Sequence, residues 1–205
     1  MSKTRGKILQ ASIELFNCSG VVAVTTNHIA KSLEMSPGNL YFHFRNKEEI
    51  IRELFRQMCK ETYALWRAPK GAKLIHPLTL IEKNFEILWR YRFFHREMYY
   101  LRRKDPQLNR AWRAHIGKIL KLMASMYRRW MNAGWFKPIQ DKEERDFIVN
   151  VLLATASSFL HFFESAEKLP AKRHIEEGKK YVARLLIHWT EGQMEEEFRS
   201  FMTLT

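Results

Sequence analysis

A chain of 205 residues can bury one medium core or two small ones that share a boundary. Its 46% hydrophobic and 28% charged residues are those of a folded globular protein and exclude a mainly disordered one. The net charge of +13 points to a polyanionic partner: nucleic acid, an anionic membrane face or an acidic ligand.

In chain order, the opening MSKTRGKILQ lacks the apolar run of an export signal, so a cytoplasmic protein is expected. Residues 4–18 predict a first helix, with Ile8, Ala11, Leu15 and Phe16 on one stripe and Gly20 as its stop. Thr25 caps a short second helix whose inner face carries Ile29, Ala30 and Leu33. A third short helix runs from about Pro37 to Phe44, with Ser36 as its cap and proline at its first position. Asn46 opens a fourth, to about Trp66, with a capping box between Asn46 and Glu49.

The stretch Ala68-Pro-Lys-Gly-Ala-Lys marks the best boundary between two apolar patterns. The chain is read as an N-terminal domain, 1–60, and a larger C-terminal one, 61–205. Helices are then expected near 77–94, 96–103, 106–133, 142–166, 171–190 and 191–202. Asp105-Pro106 opens the third of these and Asn132-Ala-Gly134 closes it. Val/Ile/Thr-rich alternation is nearly absent, so the fold class is all-α. The uncharged run Phe147–Phe163 approaches the length of a membrane span, but Asn150, Thr155, Ser157, Ser158 and His161 favour a buried helix.

Residues 25–44 are two short helices joined by a tight turn, the spacing of a helix-turn-helix. Met35 plugs the turn, and Leu40 and Phe44 face the core. Pro37, Gly38, Asn39, Tyr41, Phe42 and His43 remain outward, an odd surface if it were merely solvated. The pattern Thr-Thr-x-x-Ile-Ala, then Met-Ser-x-Gly-x-Leu-Tyr-x-His-Phe-x-Asn-Lys-Glu, resembles the DNA-binding domain of the TetR family of bacterial transcriptional repressors. The likeness covers residues 4 to about 60. Glu34 departs from it, standing where the family often has glycine; a left-handed backbone there costs about 1 kcal/mol.

The resemblance implies a three-helix DNA-binding domain joined through the fourth helix to a helical domain for effector binding and dimerisation. Thr25, Thr26 and Asn27 open the first helix of the motif, where hydroxyls and free N–H groups can meet a phosphate. Ser36 and Pro37 start the recognition helix. Gly38, Asn39 and Phe42 would face base edges: Asn suits adenine, and a ring suits a thymine methyl. Tyr41 and His43 suit the DNA backbone. Lys47, a cation at the start of the fourth helix, opposes the helix dipole, and a phosphate contact would explain it.

Residues 90–130 hold twelve Lys/Arg against two acids, and residues 1–60 hold nine against five. So the charge is densest outside the motif, interleaved with rings such as Trp112 and Trp130. Three readings stay open: a solvated basic face over an aromatic core, a site for an acidic amphiphile, or auxiliary contact with DNA phosphates. Trp89, Phe93, Arg96, Tyr99, Tyr127 and Phe159 are the candidate effector pocket. In the resembling family the last long helices form the dimer. Helix 142–166 suits that role, with Val151, Thr155, Ser158, Phe162, Leu186 and Trp189 as the candidate homodimer interface.

No two of the eight histidines stand at helical zinc spacing. There is no phosphate-cradling glycine loop and no Gly-x-Ser-x-Gly turn, so no enzyme, metal or cofactor is expected. Cys18 and Cys59 are expected as small core residues. The reading is a repressor that binds a near-palindromic operator in double-stranded DNA as a dimer and is released by a small-molecule effector. The rivals are a sequence-tolerant architectural DNA binder and an amphiphile carrier or membrane-surface protein.

Overall fold

A computed structural model describes residues 2–67, 73–166 and 171–203. The chain runs α1 (Lys3–Ser19), α2 (Thr26–Ser32), α3 (Pro37–His43), α4 (Lys47–Trp66), α5 (Pro77–Arg90), α6 (Arg92–Lys104), α7 (Pro106–Asn132), α8 (Lys142–Ala166) and α9 (Ala171–Leu186). A 3-10 turn (Ile187–Trp189) and α10 (Gln193–Thr203) follow. Among the described residues the only β pairing is an isolated antiparallel bridge between Phe136 and Thr190. The fold is all-α. The helices expected at 77–94 and 96–103 instead meet at Tyr91, whose backbone (φ −106, ψ 29) leaves the α-helical region. The helix expected to reach 190 tightens into the 3-10 turn after Leu186.

Two compact units form: Met1–Lys60 with Arg90–Arg113, and Glu61–Trp89 with Ala114–Thr205. In the first, Ile8, Phe16, Ile29, Leu40, Phe44, Ile50, Leu54, Phe55, Phe93 and Phe94 are buried. The Phe93 ring lies tilted against Phe94, 4.2 Å between ring centroids, and packs on Phe16 at 5.3 Å. Asn17 fastens α6 to α1. Its amide nitrogen donates to the Arg90 carbonyl (2.8 Å), its amide oxygen accepts from the Phe93 N–H (3.1 Å), and Arg96 donates to its backbone oxygen (2.8 Å). Glu97 accepts the Val21 N–H at 2.7 Å.

The second unit is built on rings. Phe136 lies stacked on Trp130, 5.2 Å between centroids and 18° from parallel, with Tyr127 and Phe198 edge-on to it. Around them pack Leu80, Ile81, Phe85, Ile119, Met123, Ile148, Leu152 and Val182. A Cβ at Gly178 would collide with the rings of Phe85 and Phe159, so glycine is what lets α9 approach them. Polar ties are few. The Trp130 indole N–H donates to the Ile75 carbonyl at 3.0 Å, and buried Lys179 bridges Glu82 and Glu176 at 3.1 and 2.9 Å. Cys59 is buried as expected, whereas Cys18 is exposed, because its position on α1 falls off the stripe that carries Phe16.

Candidate nucleic-acid interface

Local chemistry builds the helix-turn-helix. The Thr25 hydroxyl accepts the His28 N–H (3.2 Å), while the His28 Nδ1 accepts the Thr25 N–H (3.4 Å), a capping box closed by histidine. Glu34 stands at φ 53, in the left-handed conformation that favours glycine. Just after it, the Met35 N–H donates back to the Ala30 carbonyl at 3.0 Å. The Ser36 hydroxyl accepts the Asn39 N–H, with Pro37 at the first helical position. Leu40 and Phe44 are buried, which fixes the rotation of α3.

That rotation leaves Ser36, Pro37, Gly38, Asn39, Tyr41 and Phe42 exposed, with His43 half-buried. Phe42 is 85% exposed, its ring edge-on to His43 at 5.2 Å. A phenylalanine so exposed has a large apolar face with nothing to bury it, in a surface otherwise lined with hydrogen-bonding groups. A Cβ at Gly38 would meet only the Ser36 hydroxyl, at 4.0 Å, so packing within the protein does not demand glycine. Thr26 is half-buried, and Thr25 and Asn27 are exposed beside it. The Thr26 and Tyr41 hydroxyls lie 3.0 Å apart and share one hydrogen bond, which couples α2 to α3 and leaves one O–H to donate outward. Arg5 steadies the far end: its guanidinium sits 4.0 Å from the Phe44 ring centroid and donates to the His43 carbonyl at 2.7 Å.

Lys47 is placed differently from a free phosphate-binding cation. Its ammonium donates to the Val21 and Val24 carbonyls, both at 2.7 Å, bracing the loop before α2 and leaving one donor. The α4 cap also differs in detail. Asn46 accepts the Glu49 N–H (2.9 Å), but the Glu49 carboxylate reaches one residue further back, to the Arg45 N–H (2.9 Å).

The six candidate pocket residues are shared between the two units. Phe93, Arg96 and Tyr99 lie in the first unit, where Phe93 is core, Arg96 holds Asn17 and Tyr99 is 73% exposed. Trp89, Tyr127 and Phe159 belong to the second unit. The reason is the break at Tyr91, which gives α6 to the first unit. Of the interface set, Val151, Thr155 and Trp189 are half-buried and Ser158 is exposed. Leu186 is a correction: at 2% exposure it packs inside its own unit and has no surface to offer a partner. The Phe162 side chain lies outside what the structure describes. The basic stretch divides as well, and Arg90, Arg103, Lys104, Arg110, Arg113, Lys118, Lys121 and Arg128 are all exposed. Among the described residues no cluster of His, Cys, Asp or Glu could hold a metal ion. No helix among them is long and apolar enough to cross a membrane.

A helix-turn-helix with an exposed, donor-bearing second helix on a two-unit helical frame defines a DNA-binding regulator. The family model for bacterial regulatory proteins of the tetR family matches residues 8–54, and the TetR bacterial transcriptional repressor model matches residues 54–198. The chain belongs to the TetR family of bacterial transcriptional regulators. A TetR-family regulator from Marinobacter aquaeolei VT8 has the same fold, with TM-score 0.88 and 32% identity over 98% of both chains. Among curated relatives, the regulator UidR of Escherichia coli K12 is 38% identical over 66 residues, 32% of this chain and 34% of that protein. The Staphylococcus aureus regulator QacR is 46% identical over 50 residues, 24% of this chain and 27% of that protein. These matches span about a third or less of the relatives' length. The protein is a transcriptional regulator rather than an enzyme.

Proposed function

We propose that this regulator is a repressor that binds a near-palindromic operator as a homodimer and leaves it when a small molecule binds the second unit. The observation that carries the operator reading is the face of α3. Asn39 is exposed with its side-chain amide unengaged among the described residues, one turn before Phe42 on α3. Asn39, Phe42 and Gly38 take the base edges; Thr25, Thr26, Asn27, Ser36, Tyr41 and His43 take the backbone, with the third donor of Lys47.

Dimerisation is supported by α8. Phe147, Val151, Ala154, Thr155 and Ser158 recur at helical spacing along a strip beside the buried Ile148, Leu152 and Phe159, and Phe147 is 63% exposed. A face of small and apolar residues suits a second copy of the same helix. For the effector, the Tyr127 hydroxyl is the strongest pointer. It is buried without a hydrogen-bond partner among the described residues, and burial, then the Glu144 charge, push its pKa up. A neutral donor held in an apolar core suits a ligand oxygen, such as the carboxyl head of an amphiphile. Binding there shifts the population toward spacings of the recognition helices that no longer fit successive major grooves.

Selection of the operator from random DNA tests the reading. Two half-sites about 34–36 Å apart are expected, with a preference of about a thousandfold or more over bulk DNA. Asn39→Ala is expected to weaken binding by about 1–3 kcal/mol and relax one base position, with thermal melting unchanged. Enrichment of no sequence would favour the architectural rival.

A further inference from the structure

On the flank of α4, Arg45, Asn46, Glu49, Arg52, Arg56 and Gln107 line an open concavity of about 430 Å³ within the first unit. The carboxylates around it are already engaged. Glu49 accepts the Arg45 N–H and lies 3.8 Å from the Arg5 guanidinium. Glu53 takes Arg56 at 2.7 Å and Arg5 at 3.6 Å. Asp105 takes Arg52 at 2.7 Å with one oxygen, and with the other it accepts the Gln107 and Leu108 N–H groups at 2.8 and 3.1 Å.

Donors are therefore in surplus. The Arg45 guanidinium has no partner among the described residues. Arg52 and Arg56 each engage one terminal nitrogen and keep the rest of the fork. Asn46 uses its oxygen for the cap, which leaves its amide N–H groups facing out. The wall thus presents three guanidinium groups and the side-chain amides of Asn46 and Gln107, against one carboxylate, Glu49, that already holds the Arg45 N–H. We infer that this concavity binds a phosphoryl group, whose terminal oxygens can meet several arginine forks at once. A monocarboxylate would leave most of the donors unfilled.

Two sources share that chemistry. Arg45 follows directly on Phe44, the cap just after α3, so a backbone phosphate of the operator strand under α3 is one source. That source rests on the operator-binding reading. A free phosphorylated small molecule lodged on α4 is the other, and it does not.

The test pairs Arg45→Gln with Arg56→Gln and leaves Arg52 in place, because Arg52 also anchors Asp105. Inorganic tripolyphosphate is titrated calorimetrically into the free, full-length protein. Separately, the salt dependence of binding is measured on an operator trimmed to the recognition-helix footprint and on one extended by a helical turn on each side. If the source is free, the double variant loses about tenfold or more in tripolyphosphate affinity. If it is DNA, the variant lowers the salt slope by about one per arginine on the extended operator. Arg45→Lys with Arg56→Lys keeps the charge without the fork, so it restores the slope better than the tripolyphosphate affinity. Unchanged tripolyphosphate affinity together with an unchanged salt slope, in a variant that melts like the parent, overturns the site. Should the Gln pair melt early, the Lys pair replaces it, and tripolyphosphate affinity equal to the parent's overturns the site if its slopes also match. A parent protein that binds tripolyphosphate and no operator would remove the repressor reading and leave this site standing.

Discussion

In the first unit several long-range ties are polar and end on backbone atoms, beside ring contacts such as Phe16 on Phe93: Arg5 on His43, Asn17 on Arg90 and Phe93, Lys47 on Val21 and Val24, Glu97 on Val21. In the second unit long-range order comes mainly from rings, with Phe136 among Trp130, Tyr127 and Phe198. The difference follows from element length. The helices α2 and α3 have seven residues each, too short to be stable alone and too small to bury much apolar area, so directional hydrogen bonds must fix their position. Helices of 27 and 25 residues, α7 and α8, have the surface to build an apolar core. A reading helix needs a defined orientation more than it needs bulk, and the polar ties supply one.

The comparison breaks if a core deletion in the second unit costs no more than a severed tie in the first. Phe136→Ala removes a fully buried ring and is expected to cost about 3–5 kcal/mol in urea unfolding. Acid should cost the second unit somewhat less. Burial, reinforced by the Lys118 charge, pushes the His115 pKa down to about 4. His115 therefore stays neutral in the fold while the unfolded chain takes up a proton below about pH 6.5. Its contribution is complete above that pH and is lost as the pH falls toward 4, about 3 kcal/mol in all. Unfolding measured across that range should show the loss, and His115→Gln should flatten it, with the Tyr63 hydroxyl (3.0 Å from Nδ1) able to keep a partner. An acid slope identical in parent and variant would remove His115 from the account. Asn17→Ala is the smallest of the three: it removes the side-chain hydrogen bonds to the Phe93 N–H and the Arg90 carbonyl for about 1–3 kcal/mol, read by hydrogen exchange in α6. A loss as large as that of Phe136→Ala would mean the first unit also rests on a single packed centre.

Legibility followed the range of the interaction. Ser36, Pro37, Leu40 and Phe44 could be placed because each acts within one turn of its own helix, and the left-handed Glu34 follows from the tightness of the turn. The partners of Lys47 were not legible: the carbonyls it holds are 26 and 23 residues away, and no spacing rule connects them. Leu186 shows a second limit. Its helix is plainly amphipathic, yet periodicity does not say whether the apolar stripe meets its own core or another chain. That Phe93, Arg96 and Tyr99 belong to the first unit was hidden for the same reason, since α6 has a strong apolar face that either unit could have covered.

By itself the sequence determined the helical class, the capped short helices, the turn geometry and which face of α3 looks outward, because those depend on neighbours within a few residues. Tertiary structure decided that α6 joins the first unit and that Lys47 is a brace. Those outcomes depend on which surfaces meet across dozens of residues, where burial and pairing outweigh any local preference.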